Sequence, residues 1–212
     1  VSSSEVAIVG FGVLGRQILQ QLRERGPCSA VLFDDQLAAA GEPDAYPFAE
    51  LEDPRHGQRV FYVALGYKHL QRKQQLIERL LRLGRALPPL LHPSAFVDPG
   101  AQVGAGCVVF PRCTIGAGVS LGAGSVLHAA VTLAHDDAIG AACYLAPGVV
   151  VSGVVTIGAR VFLGAGCTVA NDIRIGEDAI IGVGSCVARD VPAGTSAIGN
   201  PLRVLTRPLR LR

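Results

Sequence analysis

The sequence predicts a chain in two parts, a short α/β domain followed by a parallel β-helix, and three observations carry that prediction. From Val97 to Val187 every sixth residue is Val, Ile or Leu, sixteen positions without an exception. Ahead of that run, the apolar stretch Val6 to Val9 ends in a Gly-x-Gly-x-x-Gly turn at Gly10, Gly12 and Gly15. Between the two parts lies Gly84 to Pro93, which contains Pro88-Pro89 and has the composition of a linker. A bare period of six suits neither a helix nor a strand, but it suits a solenoid of hexapeptides.

In the first part, Val6 to Gly10 reads as a buried strand and Gly10 to Gly15 as a glycine turn. Leu14, Ile18 and Leu22 form one stripe of a helix that stops at Gly26-Pro27. Ala30 to Phe33 reads as a second strand ending in Asp34-Asp35, and Arg59 to Leu65 as a third. Gly66 and a helical stretch from Tyr67 to Leu83 follow. Strands alternating with helices predict a parallel sheet, and ligands of such sheets sit at the carboxyl ends of the strands. Those ends carry Gly10, Phe11, Gly12 and Leu14, then Asp34 and Asp35, then Gly66, Tyr67 and Lys68.

In the second part, a small or β-branched residue recurs four places after each aliphatic one, a second inward position that closes a dry core. Glycine or another small residue recurs one place after the aliphatic slot, where a tight turn is expected to need permissive backbone angles. Three hexapeptides make one triangular coil, so positions three hexapeptides apart stack at about 4.8 Å, the spacing of paired strands. About five coils are expected.

Composition narrows the function. Half the residues are apolar and 17% are charged, which excludes a disordered chain. A net charge of +2 without a basic block argues against a nucleic-acid partner. Val6 to Gly10 is too short for a signal peptide or a membrane span, so a cytoplasmic protein without membrane association is expected. Of six cysteines, Cys107, Cys113, Cys143 and Cys167 fall in the small inward slot, where a thiol acts as a small apolar side chain. No C-x-x-C occurs, and no metal is expected.

The glycine turn, with acids some twenty residues on, matches the dinucleotide fingerprint in spacing. Three readings fit it: NAD binding, a purely structural turn, or a nucleotide-sugar diphosphate resting on the turn and the helix N-terminus. A domain of about 90 residues followed by a β-helix is half a dinucleotide fold, which favours the nucleotide sugar.

These residues together resemble a known family. A small α/β domain, then His92-Pro-Ser-Ala95, then an uninterrupted hexapeptide run, then Val191-Pro-Ala-Gly194 and Gly199-Asn-Pro201-Leu-Arg203, is similar to the hexapeptide-repeat sugar acetyltransferases. That family includes the bacterial UDP-amino-sugar N-acetyltransferases and the sialic acid O-acetyltransferases. The resemblance implies a left-handed β-helix, a homotrimer, acetyl-CoA bound in grooves between subunits, and work on surface glycan or polysaccharide precursors. The domains it implies are 1–91 for the nucleotide sugar, 92–199 for the acyltransferase β-helix, and 200–212 as a C-terminal tail.

By the same resemblance His135 matches the general base and Asp136 the acid beside it, although Asp137 could instead be the one turned toward His135. His135 falls in an outward turn position, where a neutral imidazole can take a proton near neutral pH. Gly153 follows His135 by three hexapeptides, so it stacks one coil away, and its N–H could approach a thioester carbonyl. The resemblance further implies backbone contacts to coenzyme at Ala165 and Val183. His128 and Tyr144 stand where relatives carry Asn and His, and Leu14 where many carry His, so substrate contacts transfer less well than the base. The expected activity is therefore acetyl-CoA-dependent N-acetylation of a nucleotide-linked amino sugar. The alternatives are sugar O-acetylation and a non-enzymatic hexapeptide scaffold. A γ-type carbonic anhydrase would need three metal-binding histidines. His92, His128 and His135 lack its spacing.

Overall fold

A computed structural model describes residues 4–207 and Leu209. The expected tail, 200–212, is described only in part, because 208 and 210–212 lie outside those residues, as do 1–3. The chain divides into two compact units, one ending at Pro88 and the other beginning at Pro89.

The first unit is a four-stranded parallel sheet in the order β3-β2-β1-β4, with β1 Ser4–Val9, β2 Cys28–Phe33, β3 Ala45–Tyr46 and β4 Val60–Val63. Its central strand β1 is buried on both faces, which is why Val6 to Val9 reads as an unbroken apolar run. Helix α1 (Val13–Arg23) buries Leu14, Ile18 and Leu19. Gly15 lets it lie close, since a Cβ there would stand 2.6 Å from the Gly10 carbonyl oxygen. Between β2 and β4 lie α2 (Asp35–Ala39), the two-residue β3 and two 3-10 turns. These elements are too short for any period to announce them. Helix α3 (Leu70–Arg82) buries Leu70, Leu76, Ile77 and Leu80 on one stripe, and a further 3-10 turn over Tyr67–His69 precedes it.

The second unit is a three-sided solenoid of two-residue strands, each paired in parallel with the strand one coil further along the chain. Leu127 pairs with Leu145, and Leu145 with Leu163, on one side. Leu133, Val151 and Val169 follow on the next. The aliphatic slots and the small slots together line one continuous core. A first rung at Leu90–Leu91, paired with Val108–Val109, puts the start of the solenoid inside the expected linker. At the other end the last coil is shorter than the rest, pairing Ile175 with Val191 and Ile181 with Ala197. The shortening falls in the turn after Val187, so Val191 points inward and the period of six ends there. The segment Ser196–Ile198 then pairs antiparallel with Arg203–Val204, which draws the start of the expected tail into the sheet.

One expectation about the turns is corrected. The left-handed backbone lies three residues after the aliphatic slot, at Gly106, Gly118, Gly124 and Gly148, and also at Arg112, Asp136, Val154 and Asp178. The glycine one residue after the slot has no positive φ. It is there because the next coil leaves no room: a Cβ on Gly140 would stand 2.5 Å from the Ala159 nitrogen and the Gly158 carbonyl carbon.

The two kinds of glycine should therefore respond differently to alanine. Gly148, at φ +70 with nothing within 4 Å of its Cβ position, should lose about 1 kcal/mol as Gly148→Ala. Gly140→Ala should lose roughly 3 kcal/mol, the cost of forcing packed backbone apart. Equal shifts in thermal midpoint would remove the close-approach explanation.

Candidate active site

In the first unit the strand order reverses beside β1, and an open parallel sheet has its crevice at such a point. A cavity of about 410 Å³ occupies it, lined by Gly10, Phe11, Gly12, Asp34, Asp35 and Gly66 of the expected residues. Leu14 is buried in the stripe of α1, and neither Tyr67 nor Lys68 lines the cavity. Gln36, Phe48, His69 and Arg72 line it and escaped sequence reasoning, because no motif marks them. The Arg72 guanidinium lies 4.9 Å over the Phe48 ring. An aromatic face, a guanidinium and an imidazole beside a glycine turn suit a base and phosphates.

The two acids serve this crevice through the backbone. Asp34 Oδ2 accepts the Phe11 N–H at 3.0 Å, and its Oδ1 accepts the N–H groups of Gln36 and Leu37. Asp35 Oδ1 accepts the Phe48 N–H at 2.8 Å. Asp34 thus ties the glycine turn to the start of α2, and Asp35 anchors the loop that presents Phe48. Gly12 faces open space: nothing lies within 4 Å of a Cβ placed on it.

In the solenoid, the turn 134–137 brings His135, Asp136 and Asp137 to one edge of the prism. His135 Nδ1 stands 3.0 Å from Asp136 Oδ2, and both side chains are exposed. An ionised Asp136 takes the hydrogen on Nδ1, leaving the Nε2 lone pair for an incoming proton. Asp136 adopts φ 55 and follows the His directly, so the turn itself sets the pair. The imidazole rests against Gly153: a Cβ there would overlap the ring, 2.8 Å from Cδ2 and nearer still to Cε1 and Nε2. The next residue, Val154, is β-branched at φ 63, an uncommon conformation for that type, and its N–H bonds the His135 carbonyl at 2.9 Å.

Asp137 is not the partner of His135. It points inward, 1% exposed, and its Oδ1 accepts the Val155 N–H at 2.9 Å from the adjoining coil. Its Oδ2 is buried without a hydrogen-bond partner. Burial pushes this carboxyl up to about 6, against the lowering effect of the Val155 and Ala134 N–H groups nearby and of His135.

The remaining expected residues are not brought to His135 within one chain. Ala165 and Val183 lie in stacked turns on another edge, with the Gly184 N–H bonded to the Ala165 carbonyl at 2.8 Å. His128 is stacked on Phe110 at 4.5 Å between centroids and lies 5.5 Å from Tyr144, and burial lowers its pKa. It belongs to an aromatic row with Phe110, Tyr144 and Phe162. Burial pushes the Cys143 and Cys167 thiols up to about 12, which keeps them neutral and inert as acyl carriers. Among the described residues no group of His, Cys, Asp or Glu could hold a metal ion, and no helix is long and apolar enough to cross a membrane.

The comparisons with known proteins bear on this geometry. The family model described as bacterial transferase hexapeptide (six repeats) matches residues 154–189. PerB from Caulobacter crescentus, solved with CoA and GDP-perosamine, is 30% identical, with 97% of this chain and 98% of that one covered at a TM-score of 0.86. The chain belongs to the hexapeptide-repeat sugar acetyltransferase family. It is an acyltransferase, and acetyl-CoA is its co-substrate. A histidine variant of the Caulobacter crescentus perosamine N-acetyltransferase, with CoA and GDP-perosamine, is 29% identical over 98% of this chain and 99% of that chain, at a TM-score of 0.88. The acetyltransferase domain of PglB from Neisseria gonorrhoeae is 29% identical over 96% of this chain and all of that domain, at a TM-score of 0.85. No curated protein sequence matches.

The raised Asp137 pKa has a consequence for this family member's stability. A carboxyl held near 6 in the folded chain and near 3.9 when unfolded favours folding below about pH 4 and loses that contribution as pH rises through 6. Ser125, in the same hexapeptide position, makes the equivalent bond to the Cys143 N–H at 3.0 Å without a charge. Asp137→Ser should therefore gain on the parent by on the order of 2 kcal/mol between pH 4 and pH 7.5, read from urea unfolding at both. A difference independent of pH would mean that the carboxyl is not perturbed.

Proposed function

We propose that the protein transfers the acetyl group of acetyl-CoA to the amine of a nucleotide-linked amino sugar, with His135 as general base. The observation that carries this reading is the outward His135–Asp136 pair seated on the bare Gly153 backbone. The sugar amine attacks the thioester carbonyl while His135 Nε2 takes its proton. Asp136 supports the imidazolium that forms. The Gly153 N–H is the donor for the tetrahedral oxyanion. Collapse expels the coenzyme thiolate, which recovers the proton from His135 and leaves the amide. The buried thiols of Cys107, Cys113, Cys143 and Cys167 offer no acyl-carrying alternative, and we read the transfer as direct.

The crevice at Gly10, Gly12, Phe48 and Arg72 holds the nucleotide, a reading supported by the GDP-perosamine present in two of the similar structures, both from Caulobacter crescentus. Coenzyme contacts at Ala165 and Val183 lie on a different edge from His135, so a complete site draws these edges from two copies of the chain. We therefore read the working state as a homotrimer that acts in the making of surface glycan precursors.

Two measurements test the proposal. His135→Ala should lower kcat by about 10²–10⁴-fold, the usual worth of a general base, with sedimentation unchanged. Parent turnover at neutral pH would remove His135 from the mechanism. Gly12→Val meets no steric obstacle in the fold but sets a branched side chain where phosphate must approach the turn. It should raise KM for the sugar nucleotide by about tenfold or more while changing KM for acetyl-CoA little. Equal losses of both would place coenzyme at the N-terminal crevice.

A further inference from the structure

We propose that Asp137 is a positioning residue for acetyl transfer: its buried carboxylate tethers the Gly153–Val155 segment beside His135 and supplies a water-shielded negative charge to the imidazolium that His135 becomes. The inference rests on the reading of His135 as the base.

The fold alone does not call for a carboxylate here. Other small inward slots hold Cys, Ser, Ala, Val or Ile, and Ser125 shows that a hydroxyl satisfies the same N–H across a coil. Asp137 makes that bond to Val155 with one oxygen and leaves the other buried and unpartnered. An isolated carboxylate in such a place costs stability. It sits two residues from the imidazole, on the turn that carries the base, and its bond reaches the segment on which the imidazole rests. Asp136 also faces His135, but it is exposed, and water and salt screen its charge. The field of Asp137 acts through the low-dielectric interior instead.

The surrounding charges are few. On its own turn are His135 and Asp136. The stacked turns 116–119 and 152–155 contain no titratable side chain. The other two small inward positions of its coil are Val131 and Cys143, the latter a neutral thiol. Asp137 is therefore the one ionisable group on the inner side of this turn among the described residues.

Two variants separate charge from packing. Asp137→Asn keeps a carbonyl acceptor for the Val155 N–H without the charge, and Asp137→Ser keeps a hydroxyl acceptor, as at Ser125. Both should lower kcat at pH 7.5 by about tenfold with both KM values held within about twofold, because the loss falls on the transition state. Both should also move the acid limb of the kcat/KM profile to lower pH, since a base that loses a nearby negative charge becomes less basic. Calorimetric binding of CoA and a circular dichroism spectrum establish that each variant is folded. Parent kcat and an unmoved acid limb in Asp137→Asn would overturn the proposal, whatever Asp137→Ser does. Failure of the underlying reading is distinguishable, because it appears as parent turnover in His135→Ala.

Discussion

The repeat distance between coils is the constraint on which this protein depends. Parallel strands pair at about 4.8 Å, and each coil must close in three hexapeptides for its rungs to stack. Two side chains per hexapeptide can point inward at that spacing, so Val, Ile and Leu alternate with Cys, Ser, Ala or Val around the core. The backbone of one coil touches the next so closely that Gly116, Gly140 and Gly158 have no room for a Cβ. The candidate catalytic turn obeys the same rule. The imidazole of His135 lies against the adjoining coil because position 153 carries no side chain.

The same geometry turns a simple repeat into a place for chemistry. Each corner residue in the left-handed region stands between an outward residue and an inward one, and at Asp136 the turn sets a carboxylate against the imidazole that precedes it. Val154, stacked beside that pair, adopts a conformation that a β-branched residue rarely takes, so one strained corner of the coil lies where the base sits. The buried Asp137 adds a second cost at this turn, and natural folds tolerate such costs chiefly where function uses them. The N-terminal unit follows another logic, in which Asp34 and Asp35 bond backbone N–H groups and thereby shape a glycine-lined crevice.

Much of the fold was legible because periodicity survives in one dimension. Sixteen aliphatic residues at a spacing of six name the coil, and Val6 to Val9 before Gly10 names the buried strand. His135 was legible because an imidazole at an outward slot has no packing role, and Gly153 because stacking is simple arithmetic. The first rung at Leu90–Leu91 was hidden by the prolines beside it, and the shortened last coil by a turn that breaks the count of six. Phe48 and Arg72 were hidden because residues from separate loops converge only when the sheet forms.

The sequence by itself determined the solenoid, the order of its slots, the glycine turn and the outward histidine, because each follows from spacing along the chain. The tertiary structure alone decided which of two adjacent aspartates meets His135. Asp136 and Asp137 are neighbours in the chain, yet a left-handed φ turns the first toward solvent and the imidazole, and the register turns the second into the core. It also decided what the recurring glycines are for. A string of letters records that a residue is small, but whether the need is an unusual dihedral or a missing Cβ is set by what lies a full coil away along the chain and one strand spacing away in space.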